Sequence, residues 1–279
     1  MNKKITIIKR TDRTVPQINF TPIKIHSDLS TIHEKIQNHL LNRCCRFKIE
    51  MTTDVANRYS ISRKKLPETL IDLACTKHTP FVNNDFDYLR HSIKSFACKI
   101  FSSNSFVELN FELCYHTNFF QEEQIDSFLR NLYDDCGVYA LKSHYMKAKF
   151  VYDYIIENVE YDHCLANVSA YDALIKKKAV CSGCATLLYR MLSMLGIPCR
   201  IITGYGMSES HAWNIISIDG IWYNADVTWD LCKNRIQRRL SLYDYFLIGE
   251  SNFKQHIKNP EFVTQSFKAN YPMSIKNYK

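Results

Sequence analysis

No stretch of this chain is apolar over a length that could span a membrane. The opening MNKKITIIKRTDRT offers only the short run Ile5 to Ile8, too brief for the apolar centre of a signal peptide. Acidic residues are never gathered as a calcium loop requires. Cys181 and Cys184 form a Cys-x-x-Cys, but no second such pair and no paired-histidine spacing completes a zinc set. No recognition helix and no aromatic nucleic-acid signature is present, so base reading is not expected. Internal repeats and low-complexity linkers are missing too. The absences point away from a membrane-spanning protein, a metal-dependent protein and a nucleic-acid reader, and no cofactor is expected.

What is present suits a folded chain of one large or two small domains. Of 279 residues, 46% are hydrophobic and 13% aromatic, ample for a packed core. The net charge of +8 is scattered, and the clusters Arg63 to Lys65, Lys176 to Lys178 and Arg235 to Arg239 read as solvated surface. Eleven cysteines, an odd number at irregular spacing, argue for reduced thiols and a reducing, cytoplasmic compartment. Export by a non-classical route, or a leader removed before Met1, stays open.

Along the chain, Met1 to about Pro22 reads as an extended or poorly ordered lead-in. Asp28 can cap a helix to about Asn42, with Leu29, Ile32, Ile36 and Leu40 on one side. Phe47 to Met51 is a short strand, and Pro67 opens a helix through Cys75. Leu89 to Phe101 fits helix or strand, whereas Phe106 to Tyr115 alternates as a strand does. Gln121 to Cys136 carries a helical stripe of Ile125, Phe128, Leu129, Leu132, Tyr133 and Cys136. Ser143 to Asn158 is a second helix with Met146, Phe150, Val151, Tyr154 and Ile155 inward. Ser169 with Asp172 spells a capping box. Leu240 to Ile248 reads as packed helix or strand, and Ala269 to Lys279 as a basic tail.

The chemistry-bearing stretch is VCSGCATLLYRMLSMLGIPCRIITGYGMSESHAWNIISIDGIWYNADVTWD, from Val180 to Asp230. Cys184, Leu187, Leu188, Met191, Leu192 and Leu195 form one helical stripe, ended by Gly196 and Pro198. Cys181 then stands at the helix start, where unpaired N–H groups and the helix dipole favour an anion. That position suits a nucleophile. Beyond it, Ile201 to Tyr205 is a buried strand, and Gly204, Gly206 and Ser208 to Ser210 suggest a loop. HAWNIISI and IWYNADVT flank Asp219-Gly220, a type I′ turn signal. In that register Trp213 faces Asp226 and His211 faces Thr228, which makes His211 and Asp226 diagonal neighbours on one face, about 7–8 Å apart at Cα. A helix packed on that face, which also carries Trp213, Ile215 and Trp222, would bring Cys181 to His211. A thiol, an imidazole and a carboxylate in that order are the parts of an acyl-transfer triad.

These residues resemble the transglutaminase-like superfamily of papain-type cysteine proteases and acyltransferases. The match rests on VCSGCA, LGIPCRIITG, HAWN and WYNADVTWD, and covers about Lys142 to Asp230 with YDYIIENVEYD as its leading helix. The resemblance implies Cys181 as nucleophile, His211 as base and acid, and Asp226 as orienting carboxylate. Cys184 stands where the family often has an aromatic residue, and Ala179 where glycine is common.

The expected fold is therefore α+β, a papain/transglutaminase-like core with the nucleophile helix packed on an antiparallel sheet. Residues 1-118 are expected to form an accessory α+β region and residues 119-279 the catalytic domain. The expected reaction is acyl transfer on peptide or side-chain amides of a protein or peptide substrate, with hydrolysis favoured over transamidation. Trp213 is a candidate substrate contact, the backbone N–H of Cys181 the first candidate oxyanion donor, and Tyr161, His163 and Asn167 candidate side chains for it. Two rivals stay open: a silent binding scaffold, and a thiol-disulfide oxidoreductase using Cys181 and Cys184.

Overall fold

The computed structural model describes residues 4–9, 29–59, 62–75, 86–233 and 243–279, with backbone alone for 4–9 and 29–31. The expected cap at Asp28, most of the lead-in to Pro22 and the basic cluster at Arg235 to Arg239 lie outside these. Two compact units emerge, Met1–Lys77 with Leu89–Phe119, and His78–Tyr88 with Phe120–Lys279.

The first unit is a four-stranded antiparallel sheet with helices α1 (Leu29–Leu41), α2 (Thr53–Tyr59) and α3 (Leu66–Ala74). Strands β1 (Lys4–Lys9), β2 (Arg46–Thr52), β3 (Ile93–Ser102) and β4 (Phe106–Tyr115) run in the order β1-β3-β4-β2. Part of the lead-in is thus strand, paired along β3 from Lys4 to Lys9. Every second residue of β4, from Val107 to Leu113, is fully buried, the pattern of a sheet covered on one side. Ile32, Ile36 and Leu40 of α1 are fully buried, and His39 of the same helix stacks on Phe47 of β2. The ambiguous stretch near Leu89 resolves into both elements: helix α4 (Phe86–Ser92) hands directly to β3.

The second unit is α+β. It contains α5 (Phe119–Asp135), α6 (His144–Asn158), α7 (Ala170–Ile175) and α8 (Cys181–Met194), then β7 (Cys199–Gly206), β8 (Glu209–Ile218) and β9 (Ile221–Ala225). Between these sit the short parallel pair β5 (Glu160–Tyr161) and β6 (Lys178–Ala179), and after them α9 (Val227–Leu231), β10 (His256–Lys258) and α10 (Gln265–Asn270). The main sheet is antiparallel with order β10-β7-β8-β9.

Helix α8 is the centre of the core. Cys184, Leu187, Leu188, Met191 and Leu192 are at most 0% exposed and pack with Ile155 of α6, Leu129 of α5 and Ile201 and Ile216 of the sheet. The capping box at Ser169 and Asp172 forms as its sequence predicts. The helix stripes need correction. In α5 the buried residues are Ile125, Leu129 and Tyr133, while Cys136 lies past the helix and is exposed. In α6 the buried face is Ala148, Val151, Tyr152, Ile155 and Ile156, and Met146 points to solvent. Tyr152 is drawn inward because its hydroxyl donates to the buried Asp230 carboxylate at 2.8 Å.

Two expectations near the chain's end are also revised. Residues 243–248 form neither helix nor strand beyond one bridge at Ile248, yet Phe246 and Leu247 are buried. Asp230 holds this segment by accepting from the N–H groups of Asp244 and Tyr245. The residues after Ala269, expected as a basic tail, pack onto the unit: Tyr271 is buried, Met273 bridges to Trp222 and Tyr278 stacks on Tyr145.

Candidate active site

The Asp219-Gly220 turn forms with positive φ at both residues, and the ladder keeps its expected register from Ile218–Ile221 to Asn214–Ala225. Asp226 then leaves the ladder. It becomes the N-cap of α9, where its Oδ1 accepts from the N–H groups of Thr228 at 3.0 Å and Trp229 at 3.1 Å. The other oxygen, Oδ2, faces His211, whose Nε2 donates to it at 2.7 Å. The cap fixes one oxygen, so the second is aimed.

Cys181 opens α8 as expected, with Ser182 tying that first turn to the Val168 carbonyl at 3.1 Å. The route by which the thiol meets His211 differs from the sequence reading. Helix α8 packs against Ala212, Ile216, Tyr223 and Ala225, the opposite face of the hairpin from Trp213, Ile215 and Trp222. Asn214 confirms the side, donating to the Ala185 carbonyl at 3.1 Å. Cys181 reaches His211 only because both stand at the ends of their elements, where helix start and strand start converge.

His211 lines one cavity with Cys181 and is hydrogen-bonded to the Asp226 carboxylate. With Nε2 on Asp226, Nδ1 is the ring atom left for the sulfur. Burial alone pushes this imidazole down, but hydrogen bonds and charge from Asp226 and Cys181 outweigh it and raise it from 6.5 to about 9. Burial likewise works against the Asp226 carboxylate, and His211 and His256 overcome it, holding Asp226 below its usual range.

Residues 137–227, which contain all three side chains, match the sequence profile of the transglutaminase-like superfamily. This part of the chain is transglutaminase-like. The kyphoscoliosis peptidase of Homo sapiens is 30% identical over 101 residues, covering 30% of this chain and 15% of that protein, and the Mus musculus protein matches over the same extent. The chain thus aligns with about 15% of the length of these relatives. Among solved structures, a TGase is similar at TM-score 0.36 and 15% identity, covering 53% of this chain and 48% of that one. A Cytophaga hutchinsonii protein described as a candidate cysteine protease is similar at TM-score 0.33 and 20% identity, covering 54% and 61%.

In the transglutaminase-like segment and the residues after it, a cavity of about 410 Å³ opens over Cys181 and His211. Of the three upstream oxyanion candidates, Tyr161 lines this cavity. Asn167 is committed elsewhere, its side chain donating to Asp162 at 2.8 Å. Trp213, expected against substrate, is instead 1% exposed and sits in the core behind His211, while Trp229 takes the place at the cavity wall. Cys184 is fully buried in the core, and burial pushes its thiol strongly upward, which disfavours redox exchange with Cys181.

The loop expected after Gly204 is a tight hairpin, with Met207 and Ser208 at positive φ between paired Gly206 and Glu209. Gly206 leaves room that the site needs. A Cβ there would lie 2.8 Å from the Trp229 ring and 3.1 Å from the His211 ring. Gly206→Ala is therefore expected to cost about 1–3 kcal/mol of stability by overpacking. Thermal melts should fall by several degrees, and the His211 imidazole resonances should move in NMR spectra.

Sequence reasoning missed His256. Its Nε2 lies 2.9 Å from Asp226 Oδ2, the same oxygen that His211 uses. No motif surrounds it, and it falls outside the transglutaminase-like segment. Among the described residues, His211, Asp226 and His256 are also the group that could hold a metal ion, with ligand atoms all within 4.8 Å of one another. Hydrogen bonds already account for all of those atoms.

Proposed function

We propose that this protein is a cysteine-dependent acyl-transfer enzyme acting on peptide or side-chain amides, with Cys181 as nucleophile, His211 as acid and base, and Asp226 as orienting group. The observation that carries the proposal is the imidazole of His211, which shares one cavity with the Cys181 thiol and is hydrogen-bonded to a buried carboxylate. A charged His211 beside Cys181 pairs with the thiolate, the form that attacks a carbonyl. The amide carbon joins the sulfur, and the first N–H groups of α8 face the oxygen that gains charge. His211 gives its proton to the departing amine, leaving a thioester. The neutral imidazole then takes a proton from water as it attacks, which releases the acid and restores the thiolate–imidazolium pair. A primary amine in place of water gives transamidation; hydrolysis is favoured because water is the default acceptor.

Labelling with iodoacetamide near neutral pH tests this. Cys181 is expected to react well ahead of the other ten cysteines, and His211→Ala to slow it. Equal rates across the thiols, unchanged by that substitution, would overturn the proposal. For turnover, the imidazolium is the form that protonates the leaving amine. Because His211 is raised to about 9, that form persists through neutral pH and is lost above it. The rate kcat/KM on an amide substrate should fall as pH rises through about 9, not near 6.5.

A further inference from the structure

Asp226 serves two imidazoles, only one of which the proposed reaction uses. His256 begins β10, the edge strand beside β7, and is paired across the sheet with Gly206. The missing side chain at Gly206 leaves space beside the His211 ring and Trp229. The His256 side chain is 1% exposed and its ring is fixed by neighbours: Phe253 stacks at 3.9 Å between centroids, and Trp229 lies at 4.1 Å. A ring held this firmly has one direction for its Nε2–H, and that direction is Asp226 Oδ2.

We infer that His256 is a positioning residue that, with the α9 cap, pins the Asp226 carboxylate so that Oδ2 holds His211 against Cys181. The inference rests on the acyl-transfer reading above. Oδ1 is held by two backbone N–H groups, and Oδ2 would otherwise accept from His211 alone. His256 supplies a second donor to Oδ2, and each oxygen then accepts two hydrogen bonds. The site is closed by aromatic rings, so water cannot substitute cheaply for the lost donor.

The test compares two substitutions in the full chain. His256→Gln keeps an N–H donor near the Nε2 position; His256→Phe keeps a ring for the aromatic cage but removes the donor. Rates of Cys181 alkylation by iodoacetamide are measured well below both melting temperatures, so each preparation is folded. His256→Phe should slow Cys181 alkylation on the order of 10-fold, since a misplacement of about 1 Å costs this much or more. His256→Gln should restore most of the rate. Fast, selective labelling in wild type with no loss in His256→Phe would overturn the inference while leaving the acyl-transfer reading standing. Slow, unselective labelling in wild type would remove that reading itself. A wild-type rate that changes on addition of EDTA would mark the three side chains as metal-bound and overturn the inference too.

Discussion

Cys181→Ala should abolish amide turnover while leaving the fold in place. In nucleophilic catalysis the sulfur is the atom that bonds to substrate, so no neighbour can replace it. Removing a nucleophile from such a triad costs about 10⁶-fold in kcat, equivalent to about 8 kcal/mol of barrier. The cost to stability is small by comparison. Cys181 occupies the first position of α8 and is only half-buried, whereas the core contacts of that helix come from Cys184, Leu187, Leu188 and Met191. A change within about 0.5 kcal/mol is expected for a substitution outside the core. Turnover of a fluorogenic peptide amide and a thermal melt measure both. Residual turnover within tenfold of wild type would show that another group attacks.

Asp226→Ala should damage stability and activity together. This carboxylate is 1% exposed, caps α9 through one oxygen and receives both histidines through the other. Breaking a buried ion pair by deleting one partner costs about 3–5 kcal/mol, because the charge left behind is uncompensated. Loss of the N-cap adds about 1 kcal/mol. His211 would also lose the partner that raises it, so its value should fall from about 9 and the imidazolium would be scarce at neutral pH. Activity per folded molecule should drop about 10⁴-fold, as expected when the orienting carboxylate of a triad is lost. Asp226→Asn separates the effects. The amide oxygen can still cap α9, so most stability should return, while activity should stay low. Denaturant melts and kcat/KM distinguish these outcomes, and full activity in Asp226→Asn would sink the role given to the charge.

Much of the second unit could be read along the chain because its signals are short-range. Ser169 and Asp172 are three residues apart, and the cap they spell forms as written. Asp219-Gly220 sets the hairpin register, and that register brings His211 and Asp226 to one end of the hairpin. The stripe from Cys184 to Leu195 announces a buried helix, and Cys181 at its head follows from the stop signals after it. The errors arise where a pattern has two faces to choose from. Strand β8 is buried at every position from His211 to Ile218, so alternation gives no sign of which face receives α8. The stripes of α5 and α6 failed for the same reason, with several apolar residues competing for a narrow inward arc.

The sequence by itself determined the order of Cys181, His211 and Asp226, the helix that presents the first and the hairpin that presents the other two. Those features depend on residues a few positions apart and on backbone preferences that act locally. Only the tertiary structure decided which side of the sheet the helix covers, why Trp229 and not Trp213 meets the cavity, and that His256 arrives at Asp226 from thirty residues away. Each of these depends on packing between distant segments, where burial rewards any apolar surface alike and only the assembled geometry discriminates.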